Sequence, residues 1–245
     1  MFLLDTHMHF DLMDVERYAL LEQLERENIY TIAVTNLPEL YIKYKNQINW
    51  DKYKYCRLAL GFHPELVVQH CNQIDNFIKM LPNSRYIGEV GLDFSNNDLL
   101  QKKIQIEIFQ QIINECGKYK NKILSVHSRK AVKETLETMK FFEGKAIFHW
   151  YSGSIKDLEE IIERGYFLSI NHQMLKSENG RKIINLIPTE KLLIESDAPF
   201  TYGFDKKYSV FFVEKIYNYL SDTRHINIEL LSKTIKSNFR NLLIN

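Results

Sequence analysis

The amino-acid sequence predicts a single α/β domain, a parallel (β/α)8 TIM barrel that covers residues 1–245. Short apolar runs rich in β-branched and aromatic residues alternate along the chain with longer stretches of helical periodicity. Strands and helices in this order pair the strands in parallel through right-handed crossovers. A length of 245 residues is normal for one such barrel. An open, doubly wound parallel sheet is the alternative architecture.

Eight segments have the length and composition of buried strands. They span residues 2–6, 29–35, 56–61, 85–90, 123–127, 145–149, 166–170 and 191–195. Eight strands at this chain length favour the closed barrel over the open sheet. The sequence has no G-x-G-x-x-G motif after the first strand and no G-x-x-x-x-G-K-[ST] motif anywhere. Neither common nucleotide-binding version of the open sheet is therefore supported.

Helical periodicity is clearest in three segments between and after these strands. The first ends at Gly117, a position typical of a helix C-terminus, and has an apolar face made of Leu99, Leu100, Ile104, Ile108, Phe109, Ile112, Ile113 and Cys116. The second begins after the candidate N-cap Ser154, ends at Gly165, and has an apolar face of Ile155, Leu158, Ile161 and Ile162. The third, residues 227–245, is expected to close the barrel with Ile228, Leu231, Ile235 and Phe239 buried.

Composition and charge favour a soluble, cytoplasmic globular protein. The chain is 45% hydrophobic and 26% charged, which is compatible with a full core. Its net charge of +1 provides no large positive field of the kind that indicates a nucleic-acid or membrane partner. The three cysteines, Cys56, Cys71 and Cys116, have no C-x-x-C spacing and are expected to be reduced. The N-terminus resembles neither a signal peptide nor a membrane span.

Histidines and carboxylates follow the apolar runs at the ends of the predicted strands. In a barrel, the active site lies at the C-terminal ends of the strands. Strand one ends in "DTHMH", where His7 and His9 point to the same side of an extended chain. The other strand ends contribute, in order, His63, Glu89, Asp93, His127, Arg129, His149, His172 and Asp197. Six of the eight histidines in the chain lie at such positions, which predicts one shared site.

Histidine and carboxylate ligands without cysteine are typical of Zn, Mn or Mg sites. A set sufficient for two divalent ions consists of His7, His9, Glu89, His127, His149 and Asp197. Glu89 is the candidate bridge between the ions. Two ions about 3.5 to 4 Å apart generate a hydroxide nucleophile and stabilise charge on a phosphoryl group. The sequence thus predicts a metal-dependent hydrolase in which Asp197 binds the ion on the His7/His9 side and accepts a proton from the attacking water.

The segments "DTHMHFD", "GFHP", "IGEVGLDF", "VHSR", "FHWYSG" and "ESDAP" occur in this order between residues 5 and 199. Together they resemble the TatD family of metal-dependent deoxyribonucleases, in the amidohydrolase superfamily, over nearly the whole chain. The resemblance implies a barrel of the metal-dependent hydrolase type, the same six metal ligands, and a DNase that trims single-stranded DNA as a 3′–5′ exonuclease. Related branches place a carboxylated lysine at the end of strand four, and Glu89 at that position favours the TatD branch.

Two residues depart from the family pattern. Phe94 stands where the family usually has tyrosine, and Trp150 stands where it usually has cysteine. Both changes could alter how a base stacks near the site. The chain also resembles the TatD-like nuclease component of the bacterial Qat anti-phage cluster, which implies protein partners in a defence complex and a role in antiviral defence.

Several further residues are candidates for substrate binding. His63 could contact a substrate phosphate or form a loop hydrogen bond. Arg129 could clamp a phosphate as a planar cation or be a surface charge at a helix start. Asp93 could orient a ligand histidine or bind substrate, or serve as an N-cap or in a turn. His172 could form a loop hydrogen bond or contact the substrate. Trp150 and Tyr151 could stack a base or fill the barrel mouth.

The leading functional hypothesis is a two-metal phosphodiesterase that acts on the 3′ ends of single-stranded DNA. The near-neutral charge favours a small end-binding site over a long basic channel. One alternative keeps the metal site but changes the bond, giving an esterase or deacylase for an acyl group linked to RNA. The other is a TatD-like scaffold that serves as an interaction subunit of a defence complex.

Overall fold

The computed structural model of the chain describes residues 1–13, 17–203 and 208–244. Parallel strands alternate with helices, as the sequence predicts. The strands are β1 (Leu4–His9), β2 (Tyr30–Val34), β3 (Cys56–Leu58), β4 (Tyr86–Gly91), β5 (Ile123–His127), β6 (Lys145–His149), β7 (Phe167–Ile170) and β8 (Leu192–Ile194). Strands β5 and β6 match their predicted bounds residue for residue. The largest differences are at β1, which extends through His9, and at β3, which ends earlier than predicted.

The strands form two parallel sheets, with the orders β1-β2-β3 and β4-β5-β6-β7-β8. At one seam, a single parallel bridge pairs Leu60 with Ile87. At the other, the His9 N–H donates to the Ala198 carbonyl at 2.9 Å and the Asp197 N–H donates to the His7 carbonyl at 2.8 Å. Within the described residues, no continuous ladder closes the barrel, in contrast to the predicted closed sheet. The segment after β3 continues the contact with β4, because the Leu60 N–H donates to the Tyr86 carbonyl and the Phe62 N–H donates to the Glu89 carbonyl, both at 2.9 Å.

Strands β1 and β4 are irregular where they approach the predicted site. The pairing of β1 with β2 shifts register between Asp5 and Met8, and the pairing of β4 with β5 shifts between Ile87 and Val90. In each case the pairing advances three residues along β1 or β4 but only two residues along the partner strand, which defines a β-bulge. A bulge breaks the alternation of side chains and re-aims the residues within it. These bulges contain His7 and Glu89.

Helices cover the outside of the strands. They are α1 (Arg17–Glu27), α2 (Pro38–Gln47), α3 (Pro64–Val67), α4 (Ile74–Met80), α5 (Leu99–Cys116), α6 (Val132–Thr138), α7 (Ile155–Glu163), α8 (Glu178–Leu186), α9 (Phe211–Arg224) and α10 (Ile228–Leu243). Ser154 caps α7 by accepting the Asp157 N–H at 3.1 Å, and Gly165 follows the helix with φ +82°. Among the described residues, no helix combines the length and apolarity needed to span a membrane.

The closing helix α10 confirms most of its predicted apolar face. Leu231, Ile235 and Phe239 are buried, and Ile228 is partly buried against the core. The predicted segment extended to Asn245, which lies outside the described residues. Asn238 of this helix donates to the Leu192 carbonyl at the start of β8 at 2.8 Å, so the helix packs against the strands as its periodicity predicts.

The start of helix α5 differs from the prediction. Leu99 and Leu100 were expected on the buried face, but their side chains are 81% and 65% exposed. Asp98 caps the helix by accepting the Leu100 N–H at 2.8 Å, so both leucines occupy the first turn, before the helix packs on the strands. Gly117 ends the helix with a right-handed backbone. The buried face consists of Ile108, Phe109, Ile112, Ile113 and Cys116.

The three cysteines form no disulfide, as their spacing predicts. Cys56 and Cys116 are buried and Cys71 is exposed. Burial raises the pKa of the Cys116 thiol to about 12, so this side chain packs as an uncharged, apolar group.

Candidate metal centre

The six predicted metal ligands and His63 converge at the C-terminal ends of the strands. His7, His9, Glu89, His127 and His149 belong to strands, whereas His63 and Asp197 follow β3 and β8. A cavity of about 520 Å³ opens above them. Its lining includes His9, His63, Glu65, Glu89, Asp93, His127, Arg129, His149, Trp150, Asp197 and Phe200.

One oxygen of the Glu89 carboxylate faces the first group of residues, which we define as His7, His9 and Asp197. Glu89 Oε2 lies 3.1 Å from His9 Nε2 and 3.4 Å from His7 Nε2. Asp197 Oδ1 lies 3.3 Å and 3.6 Å from the same two nitrogens. Two imidazole nitrogens and two carboxylate oxygens therefore surround one point.

The other oxygen faces the second group, which consists of His63, His127 and His149. Glu89 Oε1 lies 2.5 Å from His127 Nδ1, 2.7 Å from His149 Nε2 and 3.5 Å from His63 Nε2. The His127 and His149 nitrogens are 3.3 Å apart. A single carboxylate thus divides its two oxygens between two groups of ligand atoms. His63, predicted from the sequence as a substrate contact, lies among the predicted ligands.

The residues present fit divalent cations. Glu89 Oε2 and Asp197 Oδ1 are buried without a hydrogen-bond donor, although buried carboxylate oxygens almost always have a partner. The ligand atoms of His7, His9 and Glu89 lie within 4.8 Å of one another, as do those of His63, Glu89 and His127. A cation at such points would satisfy these oxygens, and the nitrogen and oxygen donors suit Zn, Mn or Mg.

Two of the histidines are oriented from behind by polar side chains. His7 Nδ1 lies 2.7 Å from Ser125 Oγ, and His127 Nε2 lies 2.7 Å from Asp93 Oδ2. Asp93 is itself fixed, because its other oxygen accepts the Ser95 N–H at 2.7 Å. Hydrogen bonds of this kind fix the tautomer and the orientation of a ligand histidine. For Asp93, the contact is the one that an orienting role requires.

We expect the Asp93→Ala variant to bind divalent metal about 10- to 100-fold more weakly than wild type, because His127 loses its orienting acceptor. Asp93→Asn, which keeps an acceptor oxygen but not the charge, should lose less affinity. Metal titration by calorimetry measures both constants. Glu107→Gln, on the exposed face of α5, is the control. An unchanged affinity in Asp93→Ala would contradict the orienting role.

Burial and neighbouring charges shift the pKa values of the cluster in opposite directions. Burial alone lowers the pKa of His9, but Asp197 and Glu89 outweigh it and raise this pKa to about 10. Likewise, Glu89 and Asp93 overcome the burial of His127 and raise its pKa to about 9. Burial lowers the pKa of His7 to about 3. The surrounding histidines hold the pKa of Glu89 well below its usual value, despite its burial.

Metal binding is therefore expected to release protons. In the metal-free protein at pH 7, His9 and His127 are protonated, because their pKa values of about 10 and about 9 lie above the pH. A metal ion binds only the neutral imidazole. We expect proton release on metal addition at pH 7 and an apparent affinity that rises with pH until about pH 9 to 10. Calorimetry in two buffers of different ionisation enthalpy measures the proton release; a pH-independent affinity would contradict it.

The remaining predicted residues divide between the cavity and its surroundings. Arg129 is exposed at the rim and Trp150 is partly buried in the wall. His172 lies outside this lining and packs edge-on against Tyr202 and Phe211, with ring centroids 5.5 and 5.0 Å away. Phe94 is buried and also lies outside the lining, with its N–H donated to the Arg129 carbonyl. Phe94 therefore contacts the cavity lining through Arg129 and does not itself belong to it.

The structure adds three polar residues that the sequence analysis passed over: Asp5, Ser125 and Glu195. Each lies two positions before a predicted ligand. For Ser125, alternation along β5 predicts a side chain on the same side as His127, and this signal was available in the sequence. Asp5 Oδ1 accepts the Ser196 N–H at 2.8 Å and thereby ties β1 to the loop after β8. Burial raises the pKa of Asp5 to about 6. Burial, and then the charge of Asp197, raise the pKa of Glu195 well above its usual value.

Sequence comparisons identify relatives of the chain. The family model described as TatD related DNase matches residues 4–244. A protein of Encephalitozoon cuniculi, named as a homolog of the deoxyribonuclease TATDN1, is 30% identical over 151 residues, which are 61% of this chain and 53% of that protein. The 3′–5′ ssDNA/RNA exonuclease TatD of Citrobacter koseri is 29% identical over 159 residues, 61% of this chain and 60% of its own length. Both matches span less than two thirds of the relative.

Structural comparison gives the same fold. The crystal structure of YJJV, a TatD homolog from Escherichia coli K12, is similar with a TM-score of 0.84 at 20% sequence identity, and the match covers 98% of this chain and 97% of that one. The family match extends over nearly the whole chain, from β1 through α10. The chain belongs to the family of TatD-related DNases.

Proposed function

We propose that this chain is a cytoplasmic, divalent-metal-dependent deoxyribonuclease that removes nucleotides from the 3′ ends of single-stranded DNA. The observation that carries the proposal is the division of the Glu89 carboxylate between two groups of histidines. This arrangement fits hydrolysis of a phosphodiester with two ions. The 3′–5′ exonuclease activity named for the Citrobacter koseri relative supports the substrate and its polarity.

We propose that the first group would hold one ion and that His127 and His149 would hold a second. Glu89 would be shared by both ions. When bound, such ions activate a water molecule and neutralise charge on the phosphoryl oxygens. Asp197 is the proposed proton acceptor, because its Oδ1 is buried at the edge of the cavity and accepts no hydrogen bond. Asp93 and Ser125 hold the histidines in place.

His63 is better suited to donate to the substrate than to bind a metal. Its Nδ1 accepts the Glu65 N–H at 3.2 Å, so the proton of the neutral ring is on Nε2, the nitrogen that faces Glu89. Burial lowers the pKa of His63 to about 4, which keeps the ring neutral at pH 7. A protonated Nε2 donates hydrogen bonds and cannot coordinate a cation. We therefore assign His63, together with Arg129, to the phosphate of the substrate.

The cavity and the charge of the chain favour a strand end as the substrate. A volume of about 520 Å³ lies within the usual range for sites that hold small molecules. The net charge of +1 lacks the basic excess that normally accompanies contacts to many phosphates along a duplex. A terminal nucleotide in the cavity, with Arg129 at the rim, agrees with both observations.

Labelled oligonucleotides test the reaction and its polarity. With metal added, a single strand labelled at its 3′ end should release labelled mononucleotide at once. The same strand labelled at its 5′ end should give a ladder of progressively shorter products. The opposite pattern would contradict the polarity, and no release from either strand would contradict the nuclease activity. Acyl esters tested in parallel separate this reaction from the esterase alternative.

The resemblance to an anti-phage nuclease extends the proposal to a role in defence with protein partners. Under this proposal the metal centre supplies the defence activity, because both residue groups around Glu89 retain every predicted ligand. A scaffold that had lost its catalytic function would not need a buried, charged cluster, since burying charged groups is costly.

A further inference from the structure

Trp150 has an unusual backbone conformation directly after His149. Its φ is +37°, in a region that bulky side chains rarely adopt. The Trp150 N–H donates to Glu195 Oε1 at 2.9 Å. Glu195 is fully buried. Its Oε1 also accepts a hydrogen bond from Asn171 Nδ2 at 3.0 Å, and its Oε2 accepts one from the Ser169 hydroxyl. The ends of β6, β7 and β8 thus combine to hold one tryptophan in a left-handed conformation.

Trp150 is more exposed than its aromatic neighbour Tyr151. Tyr151 is only 1% exposed and its hydroxyl donates to the Ser154 carbonyl at 2.5 Å, so it fills the core. Trp150 is partly exposed and lines the cavity above the metal centre. Backbone strain is found at functional positions, and at Trp150 it coincides with a place in the wall of the cavity.

Phe200 provides a second aromatic surface in the same cavity. Its side chain is 51% exposed, and its ring lies edge-on to His9 with centroids 4.9 Å apart. Trp150 follows a residue of the second group and Phe200 contacts a residue of the first. The cavity therefore has aromatic walls beside both halves of the metal centre.

We infer that Trp150 is the stacking surface for the base of the terminal nucleotide. This inference rests on the proposed function, which places the phosphate of that nucleotide at the metal centre. With the phosphate there, the sugar directs the base toward the wall of the cavity. Every base has a π-face, so stacking on an aromatic ring tolerates any sequence. The enzyme should therefore require a terminal base without distinguishing among the four.

Tryptophan fluorescence tests the inference without catalysis. The chain has two tryptophans, and Trp50 lies elsewhere, with its indole N–H donated to the Tyr44 carbonyl at 3.0 Å. In the Trp50→Phe variant, Trp150 is the sole indole. We expect 5′-dAMP to quench its fluorescence saturably, and deoxyribose 5-phosphate, which lacks a base, to compete without quenching. Binding of dAMP with unchanged fluorescence, or no binding of dAMP in equilibrium dialysis, would overturn the inference.

Turnover of substrates with and without a terminal base gives the second test. We expect wild-type kcat/KM to fall about 5- to 150-fold when the 3′-terminal nucleotide is abasic, the equivalent of the roughly 1 to 3 kcal/mol of one stack. Trp150→Ala should lose this preference, whereas Trp150→Phe should retain most of it. An equal loss on both substrates in Trp150→Ala would overturn the assignment. If wild type degrades no DNA, the proposed function fails, and the fluorescence titration still decides the role of Trp150.

Discussion

We expect the Glu89→Gln variant to release nucleotides from single-stranded DNA at least about 10³-fold more slowly than wild type. Loss of a group that merely supports a ligand costs about 10- to 100-fold in metal affinity or activity. Glu89 instead supplies one oxygen to each group of ligands, at 3.1 Å from His9 and 2.7 Å from His149. Glutamine keeps the shape of the side chain but removes the charge that both groups share. Initial rates at saturating metal measure the effect.

Glu65→Gln is the matched control for this change. Glu65 also lines the cavity but is exposed, so the same chemical substitution should leave the rate nearly unchanged. Circular dichroism and thermal unfolding show whether Glu89→Gln remains folded. A folded Glu89→Gln variant with activity within tenfold of wild type would contradict the role of Glu89.

The same variant separates catalysis from a scaffold role in defence. In cells that carry a complete defence cluster, Glu89→Gln should abolish protection against phage if the nuclease activity is required. Retained protection by the inactive variant would favour the scaffold alternative. Because Glu89 is almost completely buried, its substitution leaves the outer surface available to protein partners.

The Asp197→Asn variant should have a kcat about 10²- to 10⁴-fold lower than wild type, the range that one general base contributes. Asparagine keeps an oxygen that can coordinate metal but cannot accept the proton of the attacking water. The substitution suits the backbone, because Asp197 has φ +50° and asparagine tolerates this left-handed conformation as well as aspartate does. Alanine would add strain and confuse the interpretation.

Metal content determines how this second result is interpreted. If Asp197 acts as the proton acceptor, Asp197→Asn should retain most of its metal while kcat falls. A loss of activity that merely follows a loss of metal would assign Asp197 to metal binding alone. An unchanged kcat would exclude both roles.

The sequence was sufficient to predict that the candidate ligands lie close together, because two simple rules apply to it. Strand alternation places His7 and His9 on one side, and the parallel order of the strands brings their C-terminal ends together. The structure brings the six predicted ligands together in one cluster, and five of them, all but the fully buried His7, line the cavity. The same alternation rule, applied two residues earlier along β5, would also have identified Ser125. It does not apply to Glu195, because Glu195 and Asp197 follow β8 and Asp197 has φ +50°.

Other features depend on contacts that a single sequence does not reveal. The bulges that contain His7 and Glu89 arise from pairing with β2 and β5, and the pairing partner is not encoded in the strand itself. The tautomer of His63 depends on the backbone N–H of Glu65 in the following turn. Leu99 is exposed because helix α5 begins directly after its N-cap Asp98. Periodicity alone cannot locate the first residue of a helix.

The metal stoichiometry of the purified chain tests the central claim most directly. After removal of bound metal, reconstitution and removal of excess ions, inductively coupled plasma mass spectrometry counts the ions per chain. We predict about two per wild-type chain and at most one in Glu89→Gln, because both groups share that carboxylate. One ion or none in wild type, or two retained in Glu89→Gln, would contradict a centre bridged by Glu89.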